Sequence, residues 1–245
     1  MDQPLRALVF DVDGTLADTE HFHLCAFNRA FADEGLDWHW DEALYTQLLD
    51  VSGGRERMLH YWRASRERMV EIDANAILDV VERLHQAKTG VYEAMVSDGL
   101  VGLRPGVLAL MEEARRRGLA LAIATTTSPV NVAALLRRAV GPQWPLHFPV
   151  VCDASSAPRK KPHPQVYLQA LAQLKLPPQA CIAFEDSANG LRAATAAGLD
   201  TVVTPTVFTQ DHDFSGAMRV LPSLAGVTVA RLGRWRARLA EGAAP

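Results

Sequence analysis

Four short apolar runs, alternating with helical patterns and closing on polar residues, constrain the fold of this chain more than any other feature. Residues 5–10, Leu5-Arg6-Ala7-Leu8-Val9-Phe10, stop just before the turn-forming Asp13-Gly14. Residues 119–124 end in Thr125-Thr126-Thr127-Ser128, residues 180–184 end in Glu185-Asp186, and residues 200–203 follow Gly198. Nearly continuous apolar runs of this length suit strands buried on both faces of a parallel sheet. Helical patterns cover residues 105–117, 129–138, 164–174 and 188–197, and the first three open on Pro105, Pro129 and Pro164, where proline suits a first helical turn. Strand alternating with helix predicts an α/β fold built on a doubly wound parallel sheet.

Residues 19–98 break that rhythm. They read as successive amphipathic helices punctuated by Gly35 and Gly53-Gly54, with no strand pattern. The expected organisation is a core of residues 1–18 and 99–245 carrying a helical insert of residues 19–98. Open parallel sheets bind ligands beyond the carboxyl ends of their strands, where this chain sets its Asp, Thr and Glu-Asp clusters, so the insert is expected to act as a lid there. The tail after Leu239 is expected to fray.

Composition removes several function classes. The 245 residues suffice for one core domain plus a smaller insert. Apolar residues make up 49% of the chain, yet no run of about 18 uncharged apolar residues occurs, so a membrane span is not expected. The start, Met1-Asp2-Gln3, lacks the features of a secretory signal, and the cytoplasm is the expected location. Cys25, Cys152 and Cys181 are widely spaced in apolar surroundings and read as buried thiols, neither a disulfide framework nor a zinc site. With a net charge of −3, and with the basic run Arg115-Arg116-Arg117 ending a helix, nucleic acid is not an expected partner. A monomer is expected.

The chemistry-bearing residues collect at the predicted strand ends. Asp11 and Asp13 flank Val12, and side chains two residues apart on an extended backbone point the same way. Two such carboxylates repel unless a cation sits beside them, and hard oxygen ligands suit Mg2+. An ordinary Asx turn is the competing reading of Asp-x-Asp-Gly. The second acidic pair, Glu185-Asp186, at another strand end favours a shared metal. Thr125 can donate a hydroxyl to phosphate and Thr126 can add a further donor, although a threonine run before a helix also reads as an N-cap. Lys161, ahead of Pro162-His163-Pro164, can neutralise a nucleophile and phosphoryl oxygens, and its neighbour Lys160 leaves that choice open by one residue.

Taken together, Asp11-Val12-Asp13-Gly14-Thr15-Leu16, Thr125, Lys161-Pro162 and Glu185-Asp186-Ser187 resemble the four ordered motifs of the haloacid dehalogenase superfamily. A helical insert directly after the first motif resembles the subgroup with a C1 cap. Glu20, His23, Ser52-Gly53-Gly54-Arg55-Glu56, Lys88-Thr89 and the stretch from Thr125 through Asn131 to Val132 are similar to the CbbY group of Calvin-cycle-associated phosphatases.

That resemblance implies a Mg2+-dependent phosphatase acting on a small sugar phosphate, with xylulose 1,5-bisphosphate as the implied substrate. On the superfamily's pattern, Asp11 is the nucleophile and Asp13 the acid and base. Asp11, Asp186, the Asp13 carbonyl and Glu185 serve the metal, and Thr125, Thr126 and Lys161 bind the phosphoryl group. Glu20, His23, Arg55, Lys88 and Asn131 are the implied substrate contacts of the cap and entrance. Phosphosugar mutases of the β-phosphoglucomutase kind and phosphoglycolate phosphatases share the same core pattern and stay as rivals. So does a silent binding protein on the same fold. The superfamily's metal-free dehalogenases fit less well, because in the resemblance they lack the second aspartate, here Asp13.

Overall fold

The structure, a computed structural model, describes residues 4–65, 72–73 and 76–242. The first three residues, short stretches of the expected helical insert and the last three residues lie outside them. Six strands occur among the described residues: β1 (Ala7–Phe10), β2 (Ala120–Ala124), β3 (Val150–Cys152), β4 (Cys181–Glu185), β5 (Asp200–Val203) and β6 (Arg219–Val220). The helices are α1 (Glu20–Asp33), α2 (Glu42–Leu48), α3 (Gly54–Ser65), α4 (Ile77–Ser97), α5 (Val107–Arg116), α6 (Pro129–Val140), α7 (Gln165–Leu174), α8 (Ala188–Ala196) and α9 (Val229–Ala240). The chain forms two compact units, one of residues 1–18 and 102–245 and the other of residues 19–101.

In the larger unit all strands are parallel, in the order β3-β2-β1-β4-β5-β6. β1 lies at the centre, and successive crossovers run outward from it to either side, so the switch in direction falls between β1 and β4. In this register Phe10 pairs with Ile123 on one side and Phe184 on the other. The next residues along, Asp11, Ala124 and Glu185, are therefore level at the carboxyl edge.

One face of the sheet is lined by small residues, Ala7, Ala122, Ala124 and Ala183, which pack with Val166 and Ala170 of α7 and with Ala193 and Ala194 of α8. Without large side chains in the way, these helices can approach the strands closely. On the strands' alternate positions Leu8, Phe10, Leu121, Ile123, Ile182 and Phe184 are buried as well, and the Phe10 and Phe184 rings stack with centroids 4.6 Å apart. Burial on both faces is why these strands read as continuous apolar runs.

β3, β6 and α9 are additions to the elements expected from the sequence. The first two are only three and two residues long, too short for a periodic signal. Thr228 caps α9 by accepting a hydrogen bond from Arg231 N, and the helix reaches Ala240, one residue past the point after which fraying was expected.

The smaller unit is helical. α1 packs along α4, and Phe27, Phe31, Trp38, Trp40, Tyr45 and Tyr61 meet ring to ring in an aromatic core. Asp41 caps α2 by accepting from Leu44 N at 2.7 Å. Cys152 and Cys181 are buried free thiols, whereas Cys25, on the less packed side of α1, is only half-buried, which corrects the expectation for that residue. No helix among the described residues is long and apolar enough to cross a membrane.

Candidate active site

Because β1 is buried throughout and stops at Phe10, the carboxylate that comes next is delivered straight into the sheet's carboxyl edge. Asp11 N donates to Phe184 O at 3.0 Å, which continues the β1–β4 ladder by one residue, and the Asp11 side chain is buried. β4 delivers Glu185 and Asp186 in the same way. Single oxygens of Asp11, Glu185 and Asp186 all lie within 4.8 Å of one another.

Lys161 reaches this cluster from the proline-rich loop that enters α7. Its buried Nζ lies 2.6 Å from Asp11 Oδ1 and 2.6 Å from Glu185 Oε1. These contacts belong to Lys161, one of the two neighbouring lysines that the sequence left open. Tyr167, in the first turn of α7, places its ring 5.1 Å from the ammonium and donates its hydroxyl to Glu185 Oε1. Thr209 Oγ1, in the loop after β5, is 3.5 Å from Asp186 Oδ2.

The electrostatics arise from crowding charge into a buried place. Burial pushes the Asp11 carboxyl up to about 7; Lys161 opposes the rise, and the charges of Glu185 and Asp13 add to it. Burial works against the Lys161 ammonium too, but Asp11 and Glu185 hold its pKa above the ordinary lysine value. Burial also raises Tyr167 well above the usual tyrosine range, with Glu185 next in effect. One ammonium among three carboxylates leaves negative charge in excess, and carboxylate oxygens are the donors that Mg2+ prefers. A divalent cation therefore fits this donor set.

Two glycines leave room for the acids. A Cβ on Gly14, which has φ +76°, would overlap the Asp186 carboxylate, and a Cβ on Gly190 would overlap that of Glu185. Gly14 thus meets both conditions for glycine, a left-handed backbone and a close approach.

Thr125 comes directly after β2. It is buried, its N donates to Cys152 O at 3.0 Å, and its hydroxyl accepts from Thr127 N at 3.3 Å. The N-cap of α6 is Ser128, which accepts from Asn131 N, so the threonine run is not itself the cap. Thr126 is half-buried beside it. Asn131 donates to Thr127 Oγ1 at 3.1 Å, while its buried Oδ1 and the buried hydroxyl of Thr15 have no hydrogen-bond partner among the described residues. Asp13 is half-buried, in a short bridge with Ala17, and its side chain stays outside the three-carboxylate cluster.

The remaining expected residues belong to the helical unit. Tyr45 donates to Glu20 Oε2 at 2.6 Å, and Arg57 Nη1 donates to the Tyr45 hydroxyl at 3.1 Å. Lys88 Nζ lies 2.9 Å from His23 Nδ1 and 5.0 Å from the centre of the Phe27 ring. His23 in turn stacks on Tyr92 with centroids 4.1 Å apart. Glu20, His23, Arg57 and Lys88 are all buried. Arg55 sits apart from this network, in an exposed ion pair with Glu82 at 2.8 Å.

Arg57, Tyr167 and Thr209 were not expected from the sequence. An arginine inside an amphipathic helix reads as solvated, a tyrosine at helical spacing reads as core, and a loop threonine carries no signal.

The model of the haloacid dehalogenase-like hydrolases matches residues 5–198. The chain belongs to this family. Within the haloacid dehalogenase-like hydrolases it is 52% identical to the plasmid protein CbbY of Cupriavidus necator, over 90% of this chain and 86% of that one. The crystal structure of CbbY from Rhodobacter sphaeroides in complex with phosphate superposes with a TM-score of 0.84 at 42% identity, covering 93% of this chain and 99% of that one. A variant of the same protein in complex with xylulose 1,5-bisphosphate gives a TM-score of 0.84 at 41% identity with the same coverage. This haloacid dehalogenase-like hydrolase thus carries a buried carboxylate cluster on a fold it shares with CbbY.

Proposed function

We propose that this sugar phosphatase of the haloacid dehalogenase-like family hydrolyses xylulose 1,5-bisphosphate, or a sugar bisphosphate closely like it, through a phosphoryl-enzyme formed on Asp11. The observation that carries the chemistry is the Asp11 carboxylate, buried at a strand end, bonded to Lys161 and grouped with Glu185 and Asp186. The substrate rests on the likeness to CbbY, including the xylulose 1,5-bisphosphate complex of the Rhodobacter sphaeroides protein.

In the first half-reaction an Asp11 carboxylate oxygen attacks phosphorus, an acyl-phosphate bond forms and the bond to the sugar oxygen breaks. Asp13 gives its proton to that departing oxygen. In the second half Asp13 takes a proton from water, whose oxygen attacks the phosphorus, and the Asp11 carboxylate is released with inorganic phosphate. Lys161 holds the Asp11 oxygen in place and offers positive charge to the phosphoryl oxygens, with Thr125 and Thr126 as hydroxyl and amide donors. Asp11, Asp186 and the Asp13 carbonyl would hold Mg2+, with Glu185 in support, and the ion's role is to neutralise charge on the phosphoryl group.

For the second phosphate, the buried cations Arg57 and Lys88 of the helical unit are the candidates, while Arg55 lies in an exposed ion pair with Glu82. Glu20 and His23, bonded into the same network, and Asn131, with its unpartnered carbonyl, are the hydroxyl-binding candidates. In this reading residues 19–101 form the cap, and the protein acts in the cytoplasm as a monomer with no nucleic-acid or membrane partner.

The test is phosphate release from xylulose 1,5-bisphosphate, ribulose 1,5-bisphosphate, glucose phosphates and phosphoglycolate, each with and without Mg2+. Preferred, Mg2+-dependent release from the xylulose compound supports the proposal. An isomerised sugar phosphate without free phosphate would replace it with a mutase.

A further inference from the structure

Arg104, just beyond the point where the chain returns to the larger unit, takes no part in the chemistry proposed for Asp11, yet its guanidinium is committed to the backbone of the loops around the carboxylates. Nη1 donates to Gly14 O, to Thr204 O at 2.5 Å and to Thr204 Oγ1 at 3.2 Å. Nη2 donates to Pro205 O at 2.8 Å and to Pro222 O at 3.4 Å. Its own N–H donates to Leu16 O at 2.8 Å, and Leu103 beside it bridges Ala17.

The ties to Gly14 and Thr204 each lead to a metal-site residue in one step. Gly14 presses against the Asp186 carboxylate closely enough that a Cβ could not be accommodated. Thr204 N donates to Glu185 O at 2.7 Å, and the loop that Thr204 opens brings Thr209 to Asp186 Oδ2. Arg104 therefore joins the loop after β1 to the loop after β5, and Asp186 lies between them. Carbonyl oxygens need no cation to be satisfied, so a half-buried, permanently charged group spent on four of them is there for the geometry it imposes and for the charge it sets near Asp186. Half-burial lowers the Arg104 pKa from its ordinary value, and the charges of Asp186 and Asp18 oppose that fall.

We propose that Arg104 is a positioning residue of the metal site, whose planar fork fixes the Asp13–Gly14 and Thr204–Pro205 loops so that Asp186 keeps the place a divalent cation requires. This inference rests on the proposal that Asp11 and Asp186 hold Mg2+. Lysine would keep the charge but not the fork, because a single ammonium cannot span carbonyls on separate loops in one plane.

The experiment uses the full chain, stripped of metal, as wild type, Arg104→Lys and Arg104→Gln. Mn2+ binding is followed by the loss of the free aquo-ion EPR signal, and melting in EDTA reports the fold. Both variants should melt cooperatively and bind Mn2+ about 10- to 100-fold more weakly, the usual effect of losing a partner that orients metal ligands. The Mg2+ concentration for half-maximal activity should rise in step, with a smaller change in KM for the sugar phosphate. If Arg104→Lys binds Mn2+ as wild type does, the fork is not required and the proposal falls. It also falls if either variant is destabilised while its folded fraction keeps wild-type affinity, or if both fail to fold. Should Arg104→Gln alone fail to fold, the lysine variant decides. Wild type that binds neither Mn2+ nor Mg2+ would end the metal reading itself, a result distinct from equal binding by all three proteins.

Discussion

Lys161 Nζ lies 2.6 Å from Asp11 Oδ1, and both side chains are buried. Their chain separation is 150 residues, and what closes it is the central β1–β4 pairing together with the α7 entry loop. The contact means that the Asp11 carboxylate, the proposed nucleophile, is held in place by the protein itself.

Asp11→Asn should abolish both turnover and covalent phosphorylation by substrate, because an amide oxygen cannot take the place of the attacking carboxylate. The same variant tests the electrostatics. In the metal-free protein the Asp11 carboxyl is raised from 3.8 to about 7, so between those values the folded state keeps a proton that the unfolded chain has lost. Its contribution to stability is full below the lower value and is lost as pH rises towards the upper one, by at most about 1.4 kcal/mol per pH unit. Melts in EDTA from pH 4 to 8 should therefore show a downward slope that Asp11→Asn flattens, with added Mg2+ restoring wild type more at pH 8 than at pH 5. Parallel curves for the two proteins would count against this account.

Asp13→Asn should leave the three-carboxylate cluster intact while removing the proposed proton donor and acceptor. The expected loss in kcat is about 100- to 10,000-fold, with Mg2+ affinity changed far less. Single-turnover experiments should show slow formation as well as slow breakdown of the phosphoryl-enzyme. A variant as active as wild type would remove Asp13 from the mechanism.

Much of this core could be read from sequence because its acids stand at the ends of buried strands or directly after them. The apolar run before Asp11 implied a strand buried on both faces of a parallel sheet, and the observed register places Asp11 level with Glu185. Arg104, Tyr167 and Thr209 could not be found that way, since their partners are carbonyls or carboxylates set by tertiary structure. Arg55 and Arg57 make the point within one helix. Two residues at 100° per residue put them about 200° apart around α3, so one pairs with Glu82 outside and the other enters the buried network. The pattern of α3 alone does not say which arginine faces inward.

Gly190→Ala sets two effects against each other. In a helix Ala is normally favoured over Gly by about 1 kcal/mol. At Gly190, near the start of α8, the added Cβ would instead overlap the Glu185 carboxylate, which Lys161 and Tyr167 hold in place. Overpacking of this kind costs about 1 to 3 kcal/mol, so the variant should be less stable to urea and should need more Mg2+ for activity. Gly233→Ala in α9, where nothing lies within 4 Å of the new Cβ, should show only the favourable helix effect. Stabilisation at both positions would mean that Glu185 is not held as described.

Among the described residues of the helical unit, Arg57 and Lys88 are cations buried in polar networks. Arg57 is bonded to the Tyr45 hydroxyl and Leu48 O, and Lys88 to His23. The Tyr45 hydroxyl stands between Arg57 and Glu20, and the imidazole of His23 meets the Lys88 ammonium. A guanidinium and an ammonium held by hydroxyl, carbonyl and imidazole groups can each supply charge to an anionic group of a ligand. Replacing either Arg57 or Lys88 by Ala should remove a charged hydrogen bond worth about 1.5 to 3 kcal/mol, roughly a 10- to 100-fold fall in kcat/KM for the sugar bisphosphate. Hydrolysis of p-nitrophenyl phosphate, which has no second phosphate, should change much less. Arg55→Ala should alter neither reaction by more than about twofold, because an exposed pair such as Arg55–Glu82 contributes roughly 0 to 1 kcal/mol. Melting curves separate recognition from damage: equal losses on both substrates with a lowered Tm would mean that Arg57 or Lys88 only holds the helices together. A selective loss in Arg55→Ala, with Arg57→Ala unaffected, would return the second phosphate to Arg55.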